Sequence, residues 1–403
     1  MVGAVVEVLR AVLLALVALS LLSTVLSHLF TWYYFSSYDR RFPTKGVDHA
    51  PPVSIIKPTK GVDQAALDNF RSFCEQDYPN DYEILFCVEG SSDPSVPVLR
   101  RVMQEYPDVD VRLIFSDPEE RRAIGKQKNM IAGYAASSYD VIVFSDDDTH
   151  APSNFLREAV ASTENPKVGL SFGAPAYEGP EDWGAAMMSV STNAFVLRLA
   201  PMCLFGAFDG ALGITMVVRR EVIEEVGGLK QFGLQVADDL PLARAIRNKG
   251  YRIHLLKQPA RVVNRRYGFK RWWSHLHRWL VIIRHYWPNK FWITSLVDLA
   301  LWWVIFRLAL SLLRADDIGL DIYLLAAVLG TSVVSAAVTN LRFVRDKALW
   351  RYLWVVPVQE LLRLPLVIYS RLTNEILWRG RRLGINPDCT VRLVDEYDEK
   401  AFG

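Results

Sequence analysis

The sequence predicts an α/β domain, built on a mostly parallel sheet and set between apolar segments that belong in a membrane. Three observations carry this. Short β-rich runs alternate with helical ones from Pro51 to Arg261. Ala11 to Phe35 is a run of 25 residues without Asp, Glu, Lys or Arg. Hydrophobic segments return after Lys290. Of 403 residues, 51% are hydrophobic and 22% charged, and mean hydropathy is +0.12. That is too apolar for a disordered chain and greasier than an ordinary cytosolic enzyme. A formal net charge of +2 does not favour a nucleic-acid partner.

The N-terminal apolar run is long enough to span, since a bilayer core of ~30 Å needs about 20 such residues. Trp32, Tyr33 and Tyr34 suit the membrane interface, and Arg40, Arg41 and Lys45 put that end in the cytoplasm. The run is too long for a cleaved leader, and no small-residue cleavage site follows.

Within the middle domain, strands are expected at Val53–Ile56, Tyr82–Val88, Val111–Phe115 and Val141–Phe144. Helices are expected at Leu67–Glu75, Val96–Glu105 and Lys126–Ala135. Such alternation implies a parallel sheet with helices on both faces, and ligands bind beyond the carboxyl ends of its strands. Asp146, Asp147 and Asp148 follow one strand at such an end, and Glu89 and Asp93 follow another.

The C-terminal region supplies expected spans at Phe291–Leu313 and Ile322–Leu341. The loop between them is acidic and the loop after them basic, which keeps the middle domain and residue 345 on one cytoplasmic side. Asp298 and Arg307 lie inside the first span. Asp298 is expected near the interface, with Arg307 snorkelling. Leu353–Tyr369 is broken by Pro357 and Pro365 and carries Glu360 and Arg363, which suggests a re-entrant or interfacial helix pair. The expected organisation is an anchor and linker (1–50), a catalytic domain (51–264), an amphipathic interfacial helix (265–290), spans with a re-entrant segment (291–370), and a tail, basic then acidic (371–403).

Three consecutive Asp residues after a buried strand would set Asp146 and Asp148 on one side of an extended segment, as two hard oxygen donors for a cation. Capping of a helix by the same residues is the competing reading. Asp238-Asp239, before Pro241, could likewise serve only as a helix start. Gly125-Lys126 is followed by Gln127 and position 120 is Glu, so there is no Walker phosphate loop; no G-x-G-x-x-G follows the first strand. Arg261–Trp287 interleaves basic and aromatic residues as a headgroup-layer helix would. His275 and His277 fall on different faces of that helix, so they do not share a metal. Cys74, Cys87, Cys203 and Cys389 lack metal-ligand spacing and read as free thiols.

Together these pieces resemble the ceramide glucosyltransferases, a membrane branch of the GT-A glycosyltransferases, across nearly the whole chain. Residues 53–63 look like that family's opening strand and loop, and Gln76-Asp77-Tyr78-Pro79 and Cys87-Val88 follow at matching spacing. The family's three separated Asp residues fall on Asp93, Asp146 and Asp239. Its closing (Q/R)-x-x-R-W motif falls on Arg278-Trp279, with His275 at the leading position where the family has Gln or Arg. Gly227-Gly228-Leu229 and residues 378–382 agree as well.

The resemblance implies an inverting GT-A enzyme that moves glucose from UDP-glucose to the hydroxyl of ceramide. It implies Asp239 as catalytic base and Lys57, Pro58, Asp93, Lys126, Asp146, His275, Arg278 and Trp279 as nucleotide-sugar-binding residues. It is consistent with Mn2+ or Mg2+ on Asp146 and Asp148, and with a multi-pass membrane protein whose site faces the cytosol. A bacterial inner membrane and a Golgi or ER membrane suit it equally. The alternatives are another lipid alcohol such as diacylglycerol or a hopanoid, another UDP-sugar, a processive polysaccharide synthase, or a nucleotide-sugar binder without catalysis.

Overall fold

The computed structural model describes residues 2–42, 49–117, 123 and 125–396. Lys45, expected to help mark the cytoplasmic side, lies outside the described residues, as does the end of the tail (397–403). The chain divides into two compact units. One comprises Trp32–Tyr177 with Arg198–Val263. The other comprises Met1–Thr31, Glu178–Leu197 and Asn264–Gly403.

The first unit holds strands β1 (Val53–Pro58), β2 (Tyr82–Val88), β3 (Asp110–Phe115), β4 (Val141–Ser145), β5 (Thr149–His150), β6 (Val168–Phe172), β7 (Pro175–Glu178), β8 (Thr215–Arg219), β9 (Arg252–Leu255) and β10 (Ala260–Val263). Seven form one sheet in the order β3-β2-β1-β4-β8-β6-β9; β5, β10 and β7 form a small second sheet. β1 lies at the centre, parallel to β2 and β4, with Val53 opposite Tyr82 on one side and Val141 on the other. β8 runs antiparallel between β4 and β6. The sheet is therefore mostly parallel, as the alternation required, and its four expected strands form where expected.

Every residue of β1 and β4 is buried. A central strand covered by helices on both faces is mostly apolar rather than alternating, and the polar exceptions in β1, Ser54 and Lys57, are hydrogen-bonded. On one face Phe70 and Phe73 (helix Ala66–Cys74), Leu99 and Val102 (helix Ser95–Glu105) and Leu156 (helix Phe155–Val160) pack on Ile55, Phe86 and Val143. Each such side chain contributes roughly 1.5–3 kcal/mol of burial. On the other face the helix Gly125–Ala136 lies close to β1 and β2. A Cβ at Gly133 would come 2.5 Å from Ile56 and 2.6 Å from Cys87, so close approach outweighs the ~1 kcal/mol that glycine costs inside a helix.

The second unit is largely helical. Among the described residues, three helices are long and apolar enough to cross a membrane: Gly3–Ser36, Gly319–Val344 and Trp183–Leu204. The last was not expected, and half of its apolar window is buried inside the protein. The helices Pro288–Asp298 and Ala300–Leu313 make a fourth if taken as one span bent by 58°. The break falls one residue after Asp298, within a segment expected to run straight through.

Arg307 does not snorkel. It is 6% exposed and paired with Asp321, whose other oxygen accepts from Ser311 at 2.6 Å. A long apolar helix can carry an Arg inward only when such a partner is supplied from the next helix. Residues 355–372 form one continuous helix with Pro365 inside it, where a helix pair was expected. Pro357 falls in the first turn, where its missing N–H costs nothing. In the described part of the tail, β11 (Glu375–Trp378), β12 (Arg381–Ile385) and β13 (Val391–Glu396) form an antiparallel meander.

Candidate active site

In the first unit, four site residues expected from the sequence meet beyond the carboxyl ends of β1 and β4. Asp146–Asp148 follow β4 as a turn, not as the extended segment assumed for two coplanar donors. Lys57, near the end of β1, is fully buried. Its ammonium donates to the Asp146 carbonyl at 2.7 Å, Thr149 Oγ1 at 3.1 Å and Ser145 Oγ at 3.3 Å, and lies 3.7 Å from the Phe73 ring centre. Burial pushes this ammonium down to about 7, against the pull of Asp147, Asp146 and Asp148. One of the three bonds thus holds the backbone of the acidic turn, and the other two hold the hydroxyls of Ser145 and Thr149 on either side of it. Pro58 ends β1 beside it.

Lys126, in the first turn of the helix Gly125–Ala136, reaches Asp146 Oδ1 at 2.7 Å, Asp238 Oδ2 at 2.9 Å and the Gly213 carbonyl at 2.9 Å. Burial disfavours its charge, but Asp146 and Asp238 outweigh that and hold it protonated. Asp238 occupies the N-cap position of the helix Asp239–Asn248 without making a cap bond. Its carboxylate serves Lys126 instead, so helix capping does not explain the acidic pair.

Asp239 accepts from Gly213 N–H at 2.6 Å and from Leu240 N–H at 2.7 Å. Burial, and then the neighbouring Asp238, push its carboxyl up to about 7, although Lys126 and the two N–H donors pull the other way. Gly213 therefore both donates to Asp239 and accepts from Lys126. A Cβ there would lie 2.7 Å from Asp238 Oδ2 and 2.9 Å from Lys126 Nζ. Gly213 did not stand out in the sequence, and Asp238 stood out only as half of an acidic pair that a helix start could explain, because their roles come from strand and helix ends far apart in the chain.

Asp93 lies past β2 and is separate from this cluster in its bonding. It accepts from Gly61 N–H at 2.9 Å, Ser95 N–H at 2.9 Å and Ser95 Oγ at 2.7 Å. The carboxylate ties the loop after β1 to the start of the helix Ser95–Glu105; Gly61 adopts φ +73°, a conformation glycine reaches without strain.

The donor chemistry of Asp146 and Asp148 fits a hard divalent cation. Among the described residues no group of three or more His, Cys, Asp or Glu could hold a metal. Two carboxylates with the remaining ligands left to a substrate diphosphate is the pattern Mg2+ favours.

The remaining site residues lie in the second unit, on the helix Phe269–Tyr286. Arg278 Nη2 donates to His275 Nε2 at 3.0 Å, and the guanidinium lies 5.5 Å from the Trp378 ring centre. Trp279 meets the His275 ring edge-on at 4.3 Å and packs against Phe195 at 5.3 Å. The three share one face because residues three and four apart on a helix are neighbours. Burial, reinforced by Arg278, Arg271 and Arg379, holds His275 well below the usual imidazole range. Tyr267 Oη bonds His275 Nδ1, a residue for which the sequence offered no signal beyond its place before the helix.

Known proteins resemble this chain over much of its length. It is 31% identical to "Ceramide glucosyltransferase 3" of Caenorhabditis elegans over 56% of this chain and 49% of that one. It is 22% identical to "Ceramide glucosyltransferase 1" of the same organism over 89% of this chain and 77% of the relative. The first match spans about half the length of the relative. Among solved structures, the mannosyltransferase PcManGT from Pyrobaculum calidifontis in complex with GDP-Man and Mn2+ aligns with a TM-score of 0.49 at 20% identity, covering 86% of this chain and 99% of its own. The family model described as Glycosyl transferase family 21 matches residues 12–391. An acidic cluster at the strand ends, apolar helices before and after the sheet domain in the sequence and a match of that extent agree: the chain belongs to glycosyl transferase family 21.

Proposed function

We propose that this glycosyltransferase moves glucose from UDP-glucose to the primary hydroxyl of ceramide, with inversion, at the cytosolic face of a membrane. The observation that carries the reading is Asp239: a carboxyl oriented by two backbone N–H groups and pushed up to about 7, beside Asp146 and Lys126. A base poised near the working pH is what proton abstraction from an alcohol requires. The names of the relatives support the lipid acceptor and the sugar.

In this reading the ceramide oxygen attacks the anomeric carbon as its proton passes to Asp239. The bond from that carbon to the diphosphate breaks, and UDP leaves with the bonding pair. Lys57 and Lys126 hold the acidic turn in place. Arg278 supplies positive charge for the departing diphosphate. Asp93 orders the loop expected to receive the nucleoside. Asp146 and Asp148 would hold Mn2+ or Mg2+, which when bound supplies further positive charge for the leaving group.

The test is transfer by purified protein in detergent, with radiolabelled UDP-glucose, ceramide and Mn2+ or Mg2+. One labelled glucosylceramide, abolished by EDTA and restored by added metal, is the expected result. UDP release without labelled ceramide would move the acceptor to another lipid alcohol. No turnover with any UDP-sugar would overturn the enzymatic reading.

A further inference from the structure

The Phe269–Tyr286 helix carries an arrangement that chemistry resolves further than distance alone. Arg278 has only donors, so His275 Nε2, which faces Arg278 Nη2 at 3.0 Å, must be an acceptor. An imidazole that accepts at Nε2 and is neutral carries its proton on Nδ1. That N–H therefore donates to Tyr267 Oη. The opposite tautomer would set an N–H against an N–H. The Tyr267 ring is itself held under the Arg271 guanidinium, 4.6 Å from its centre, and Trp279 closes the other side of the imidazole.

We propose that Tyr267 is a positioning residue: it fixes the tautomer of His275 so that the imidazole accepts from, and orients, the Arg278 guanidinium. This rests on the reading of Arg278 as a group that meets an anionic diphosphate. The partly buried ring stays neutral under three nearby arginines, so it orients Arg278 without repelling it or cancelling its charge. The hydrogen bond on the far nitrogen of a functional histidine sets what the near nitrogen can do.

The experiment compares wild type, Tyr267→Phe, His275→Leu, His275→Gln and the double variant Tyr267→Phe/His275→Gln. The glutamine amide oxygen accepts from Arg278 without needing a tautomer to be set. Tyr267→Phe and His275→Leu are expected to lower kcat about 10-fold or more with KM for UDP-glucose little changed, as a misdirected hydrogen bond to a charged group would. His275→Gln recovers most of the rate lost in His275→Leu, and in its background Tyr267→Phe has no further effect. An equal loss from Tyr267→Phe in both backgrounds, or none in wild type, overturns the proposal.

A second readout is independent of turnover. Nitrogen-15 NMR of histidine-labelled protein in nanodiscs, with the His275 signal assigned by its loss in His275→Gln, is expected to show the Nδ1–H form, and to lose it in Tyr267→Phe. An Nε2–H or doubly protonated ring in wild type overturns the proposal even if no transfer is detected. Inactive wild type with an Nδ1–H signal strikes only at the glycosyl-transfer reading.

Discussion

Two cations in this protein meet different kinds of group. Lys126 in the sheet unit is surrounded by Asp146, Asp238 and the Gly213 carbonyl, and its charge is absorbed by the protein. Arg278 in the helical unit donates to the His275 imidazole and lies over the face of Trp378. The difference follows from what each must do. Three clustered carboxyls cannot all ionise without a cation among them. Under the proposed reading, in which Arg278 meets an anionic diphosphate, the neutral imidazole orients the guanidinium without adding charge of its own. Arg307 is a third case: it sits in an apolar helix and takes one full partner, Asp321, because a lone charge there would be prohibitive.

The largest expected effect tests whether the acidic cluster does chemistry at all. Asp239→Asn keeps the shape and one of the two backbone contacts but removes the base, and kcat should fall by about 10²–10⁴ with the fold intact by circular dichroism. Retention of most of kcat would leave the cluster a purely structural ion pair.

Lys126→Met sharpens the comparison by leaving the carboxyls without their cation. Removing one partner of a buried pair costs on the order of 3–5 kcal/mol, so thermal unfolding should shift down clearly. Lys126 lowers the Asp239 carboxyl, so its loss should also move the acid limb of the pH–rate profile upward. An unchanged midpoint would mean that the lysine is not what balances the cluster.

Arg307→Met should destabilise by a similar order, about 3–5 kcal/mol, because it strands Asp321 in an apolar bundle. The double change Arg307→Met/Asp321→Leu should recover most of that loss, read as thermal midpoints in nanodiscs. Failure to recover would show that the pair serves more than charge balance.

The smallest effect is a shape rather than a loss. Asp239 works deprotonated, so kcat/KM should rise with pH and level off above about 7, where its carboxyl titrates. A flat profile from pH 5 to 8 would remove Asp239 as the titrating base.

Much of the fold is legible in particular runs. Val141–Phe144 reads as a doubly covered strand because it lacks any polar alternation, and Pro at 58 and Ser-Asp at 145–146 mark strand ends. The antiparallel strand β8 was not legible. Thr215–Arg219 is short, and only its insertion between β4 and β6 makes it a strand. At the site, Asp146 and Asp239 were visible as carboxylates near strand or helix ends. Gly213 and Tyr267 were not, since a glycine and a tyrosine before a helix have ordinary local explanations, and Asp238 was visible only as a capping-type partner of Asp239.

Residue order by itself determined where apolar segments run, where the parallel strands begin and which residue types stand at their ends. These are local matters of hydrophobic period and backbone preference. Tertiary structure alone decided that Asp238 serves a lysine rather than a helix end, that Asp239 is pushed up towards neutrality and that Arg307 turns inward to Asp321. Each depends on groups from distant parts of the chain sharing one buried space, where charge must be balanced by whatever folding brings near.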